Sequence, residues 1–103
     1  MRRLRYSKAA NQDFIDIARF IQRSNGSQTT AIAFIAALRR QCRRLAELPG
    51  SLGRSRADIR PDARSFAYRN YVLVFRYQGE AVEILRVIER HRDIGAQFNE
   101  DAD

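Results

Sequence analysis

Two helical apolar stripes joined by about three residues, followed by three runs rich in β-branched and aromatic residues, constrain this chain most. From Lys8 to about Asn25, residues Ala10, Phe14, Ile17, Ala18 and Ile21 recur on one helical face. Ser7 stands where an N-cap belongs, and Asn25-Gly26 reads as the C-terminal stop. Ser27 caps a second helix whose stripe is Ala31, Phe34, Ile35, Leu38, Cys42 and Leu45, ended by Leu48-Pro49-Gly50. So short a connection predicts an antiparallel helical hairpin.

Residues 49–63 hold both prolines, Gly50, Gly53 and three arginines, and read as one long loop. Beyond it, Arg64–Tyr68 alternates, Arg69-Asn70 is a tight turn, and Tyr71–Tyr77 is a strand. Gln78-Gly79-Glu80 turns the chain into a last strand, Ala81–Ile88. Residues 3–6 alternate as a short edge strand. The expected fold class is therefore α+β in the order βααβββ. The helical hairpin packs on one face of an antiparallel sheet, and the other face stays partly open for a partner. One domain is expected over residues 3–95, with a short acidic tail at 96–103.

Composition suits such a domain. Of 103 residues, 45% are hydrophobic and ten are Phe or Tyr, too much apolar surface for a disordered chain. A chain of this size buries roughly 60–70% of its unfolded surface, enough for one core. Cys42 has no partner for a disulfide and falls in an apolar stripe, where it reads as a small buried hydrophobe. Met1-Arg2-Arg3 is not followed by an apolar stretch, and no run approaches the roughly 20 residues of a membrane span. A cytoplasmic protein without membrane contact is expected.

The net charge is +7, carried by eighteen Arg and one Lys. The planar fork of Arg suits phosphate or carboxylate oxygens, so nucleic acid or an acidic protein fits as partner. A genome rich in G and C gives the same Arg-to-Lys ratio, and both readings stand at this point.

The residues offer poor material for catalysis. There is no Cys/His cluster for a metal, no Gly-rich loop for a phosphate cofactor, and a single His distant in sequence from the single Cys. No catalytic residue, metal or cofactor is expected. Asp13 and Asp16, three apart near a helix start, read as compensating the helix dipole. The positive signal is arginine. By strand alternation Arg76 shares a face with Val72 and Val74, and Arg86 shares one with Val82, Ile84 and Ile88. Each either points out of the open face or pairs with Glu83, Asp58 or Asp93. Arg90, His91 and Arg92 at the strand end are better placed to meet phosphate. With Arg64, these make the target-binding candidates Arg64, Arg76, Arg86, Arg90, His91 and Arg92. Arg39, Arg40, Arg43 and Arg44 on the second helix form a separate patch, either a solvated face or the seat of an acidic partner segment.

Several segments in order carry a resemblance: Leu45-Ala46-Glu47-Leu48-Pro49, Gly53-Arg54, Asp58-Ile59-Arg60-Pro61, Arg64-Ser65-Phe66, Tyr71–Tyr77, Val82–Ile88 and Arg92-Asp93-Ile94. Ser7, Ala10, Asp13, Ile17 and Phe20-Ile21 precede them. Together, over residues 3–95, they resemble ParE toxins of the ParE/RelE superfamily of bacterial type II toxin–antitoxin systems. The resemblance implies a toxin that inhibits DNA gyrase and a ParD-like antitoxin that neutralises it in a hetero-oligomer. DNA would be met only indirectly, through the antitoxin. RelE relatives instead cut messenger RNA on the ribosome, which needs a base, an acid and cations on the scissile phosphate. Here Lys8 is the only Lys, no Tyr follows the last strand, and Glu89 stands where ParE-like sequences often carry His. His91, flanked by Arg90 and Arg92, is the remaining general acid for that alternative. The resemblance thus favours gyrase inhibition over ribosome-dependent endoribonuclease activity.

Overall fold

A computed structural model describes residues 2–91. The elements are β1 (Arg3–Tyr6), α1 (Lys8–Asn25), α2 (Gln28–Glu47), β2 (Arg54–Ser55), β3 (Arg64–Tyr68), β4 (Tyr71–Gln78) and β5 (Ala81–Glu89). Both expected caps form. The Ser7 hydroxyl accepts from Ala10 N at 3.0 Å and donates to Leu85 O at 2.7 Å, so one side chain starts α1 and ties it to β5. The Ser27 hydroxyl accepts from Thr30 N at 3.1 Å. Each such cap contributes about 1 kcal/mol. Gly26 ends α1 at φ 64°, donating its N–H to Gln22 O, a left-handed conformation that favours glycine.

The sheet has the order β1-β5-β4-β3-β2. It is mixed rather than wholly antiparallel: β1 pairs with β5 in parallel, Arg3 opposite Ala81 and Tyr6 opposite Ile84. Two helices intervene between β1 and the later strands, which supplies the long crossover a parallel pair requires. The expected long loop also contains the two-residue β2, which pairs with the start of β3.

The helical hairpin covers one face. Phe14, Ile17, Leu38, Cys42 and Leu45 pack on Leu73, Phe75, Val82 and Ile84. Cys42 is fully buried there. Loss of solvent raises its thiol pKa to about 11.

The opposite face departs from expectation, because it is not open. Val72, Val74, Leu85 and Ile88 are 0–7% exposed, with Ala63 among them and Ile59 packed against the cluster. Four apolar side chains on one sheet face need a cover, and the loop between β2 and β3 contributes to it. Gly53 fixes where this loop can run. It has φ 79°, and a Cβ there would lie 2.5 Å from Ser65 O and 3.0 Å from the Phe75 ring.

Strand alternation also breaks once. Val74 lies opposite Arg86 but Phe75 lies opposite Ile84, so Leu85 is an extra residue in β5. Val82 and Ile84 join the helix-side core, and beyond the extra residue the faces swap, so that Val87 joins that core while Ile88 joins the other cluster with Leu85.

Candidate functional site

Arg86 lies directly after the bulge. Its guanidinium grips Asp13 of α1 with two bonds, Nε to Oδ2 at 2.7 Å and Nη2 to Oδ1 at 2.9 Å. Asp13 Oδ2 also accepts from Val87 N at 2.8 Å. Arg86 is 6% exposed and Asp13 8%. This corrects two expectations. Arg86 pairs internally with Asp13 rather than with Glu83, Asp58 or Asp93, and Asp13 holds the first helix to the last strand rather than answering a dipole from the first turn. Local alternation could not signal this pairing, because the partners are 73 residues apart.

Other arginines are also committed internally. Arg64 donates from Nε to Leu52 O at 2.8 Å and from Nη2 to Gly53 O at 2.9 Å, which pins the loop to β3. Arg76 donates to Glu83 at 2.9 Å, one of the expected partners, and pairs with Asp62 at 3.4 Å. The hydrogen bond to Glu83 holds the Arg76 guanidinium above its ordinary pKa. Asp58 is taken by Arg56, whose hydrogen bond lowers its carboxyl pKa. Arg39 lies over the rings of Phe14 and Tyr6, with centroids 4.3 and 4.9 Å from its guanidinium carbon. Its planar cation closes the top of the hairpin core.

Two groups of exposed residues bear on binding. One lies at the end of the sheet where β5 finishes. Arg90 and His91 are exposed there, and Arg90 N donates to Asn70 O at 2.8 Å, locking the strand end to the β3–β4 turn. Arg92 lies outside the described residues. Beside them stands Arg69, a non-glycine residue at φ 54° whose guanidinium lies over Tyr68 and Phe34 at 5.3 and 5.9 Å. A strained turn that presents a cation is the kind of backbone found at binding sites. Next to this corner runs a groove of about 340 Å³ between α1 and β5. Asp16, Phe20, Arg23, Tyr71, Ile88 and Glu89 line it, and the Asp13–Arg86 pair lies at its base. Phe20 is 53% exposed. The second lies on the outer face of the helical hairpin, with Ile15 and Ile32 uncovered and Arg40, Arg43 and Arg44 exposed toward the end of α2.

Arg69, Phe20, Ile15 and Ile32 were not named as site residues from sequence. The last three did carry a signal, since each falls outside the apolar stripe of its helix. Arg69 carried none beyond its place in a turn.

Among the described residues, no group of three or more His, Cys, Asp or Glu is arranged to hold a metal ion. No helix among the described residues is long and apolar enough to cross a membrane.

Comparison with known proteins decides the family. A model described as the ParE toxin of the type II toxin–antitoxin system parDE matches residues 4–94. The chain belongs to the ParE toxin family. Toxin ParE3 of Caulobacter vibrioides is 38% identical over 55 residues, a match covering 53% of this chain and 54% of that protein, so about half the length of each. A solved structure titled as the chromosomal ParDE TA system from P. aeruginosa superposes with a TM-score of 0.76 at 21% identity. It covers 86% of this chain and 96% of that one, which establishes the ParE fold. The expected α+β architecture, with a helical hairpin on a sheet, is thereby borne out.

Proposed function

We propose that this ParE-family chain inhibits DNA gyrase and is neutralised by a ParD-like antitoxin. The observation that carries the reading is the family match over residues 4–94. The geometry is compatible with it. The exposed polar corner of Arg69, Arg90 and His91 beside the Phe20 groove is a protein-docking surface in composition, with an aromatic anchor and a charged rim. The antitoxin reading draws on the uncovered Ile15 and Ile32 of the hairpin, which offer apolar anchors to a segment that folds on binding.

The test is direct. Purified chain is added to gyrase and relaxed plasmid; supercoiling should fall with dose, and the antitoxin encoded beside the gene should restore it. Unimpaired supercoiling at a large excess of the chain refutes the proposal. The second reading, a ribosome-dependent endoribonuclease, draws on the exposure of His91 next to Arg90. It requires messenger cleavage in a translating extract, lost in His91→Ala.

A further inference from the structure

The surface of α2 divides along its length. From Gln28 to Leu38 it carries no charged residue, whereas Arg39 to Glu47 holds four arginines and one acid. Arg40, Arg43 and Arg44 are all exposed, and spacings of three and four residues put them on one side of the helix. Arg44 donates to Gln41 Oε1 at 3.2 Å. Neither Arg40 nor Arg43 has an ion-pair partner among the described residues.

Neighbouring elements add to the same end. Arg2 N donates to Ala46 O, and Arg39 lies on Tyr6, so β1 and the start of α1 run alongside. They bring the exposed cations Arg3 and Lys8. Helix-dipole compensation accounts for a cation in the last turn, where Arg44 stands, and not for Arg40 or Arg43.

Three kinds of anionic partner make different demands. A peptide that folds on a helix face needs apolar anchors at helical spacing. Single-stranded nucleic acid needs exposed aromatic platforms. The backbone of a duplex needs spaced, unpaired cations, best supplied by guanidinium groups. Between Arg39 and Glu47 no large apolar or aromatic side chain is exposed. We propose that the C-terminal half of α2 docks on the phosphate backbone of duplex DNA through Arg40, Arg43 and Arg44. This goes beyond the gyrase and antitoxin reading, in which the chain itself touches no DNA, and does not depend on it.

The experiment measures anisotropy of a labelled duplex DNA of arbitrary sequence, titrated with the full chain across a range of salt. Each phosphate contact contributes about 0.9 to the slope of log affinity against log salt. Arg40→Gln/Arg43→Gln should therefore flatten the slope by about 1.8. Arg19→Gln/Arg54→Gln removes the same charge elsewhere and should leave the slope nearly unchanged. Arg40→Lys/Arg43→Lys should keep most of it, which separates charge at this face from damage to the helix. The proposal is overturned by equal flattening in the two Gln pairs, by polyglutamate competing as well as DNA per unit charge, or by tighter binding of an RNA duplex. Normal gyrase inhibition or its absence leaves this readout untouched, so the two proposals fail separately.

Discussion

Asp13→Ala should be among the most damaging single changes in this protein, although Asp13 touches no proposed partner. The carboxylate accepts three bonds, two from the Arg86 guanidinium and one from Val87 N, in a site where both residues are under a tenth exposed. Its removal leaves a buried cation without its carboxylate and frees the Val87 N–H at the bulge. Breaking a buried pair from one side costs about 3–5 kcal/mol. A domain of this length has only about 5–15 kcal/mol of stability in total. At about 4 °C or more per kcal/mol for a domain of this size, the melting temperature should fall by at least about 12 °C. Urea unfolding of the isolated chain, followed by circular dichroism, measures the loss. The double variant Asp13→Leu/Arg86→Met provides the internal check. It removes both charges and leaves the Val87 N–H unsatisfied, worth about 1–3 kcal/mol. It should therefore be more stable than Asp13→Ala by roughly 2 kcal/mol. A loss below about 1 kcal/mol for Asp13→Ala, or a double variant as unstable as the single, would refute the reasoning.

Further outcomes are expected. The Cys42 thiol has its pKa raised by burial from 9.0 to about 11. The unfolded chain thus ionises first, and stability present below pH 9 declines as pH rises toward 11, by about 2–3 kcal/mol. Urea midpoints against pH should show this decline in the parent and a shallower one in Cys42→Ala. Gly53→Ala drives a Cβ to within 2.5 Å of Ser65 O at φ 79°, and should cost about 1–3 kcal/mol by the same assay. Arg64→Ala removes the two bonds to Leu52 O and Gly53 O and should speed proteolysis within residues 49–63, with cleavage mapped by mass spectrometry. Arg90→Glu/His91→Glu, both exposed, should change stability by no more than about 0.5 kcal/mol while weakening inhibition in the supercoiling assay.

The elements of this protein were legible because their signals are local. Ser7 and Ser27 each precede a helical apolar stripe by one turn of hydrogen bonding, and both cap as read. Asn25-Gly26 stops α1 because the left-handed position suits glycine. The runs from Arg64 to Glu89 alternate between punctuated turns and make a meander. Burial of Cys42 follows from its place in the stripe.

Tertiary structure alone decided which arginines are available. Eighteen identical side chains look alike in a sequence, and their roles depend on partners far away along the chain. Leu85 enters β5 as an extra residue, which broke the expected alternation, and the Arg86 that follows meets Asp13 in α1. Arg64 is spent on loop carbonyls, Arg76 on Glu83 and Asp62, and Arg39 on the rings of Phe14 and Tyr6. The sheet face expected to receive a partner carries its own cover, since Val72, Val74, Leu85 and Ile88 stay out of water only if something packs over them. Short-range patterns choose helices, turns and strands, because the hydrogen bonds involved join near neighbours. Free cations and open surfaces are what remain after all long-range pairing is complete, so only the folded chain reveals them.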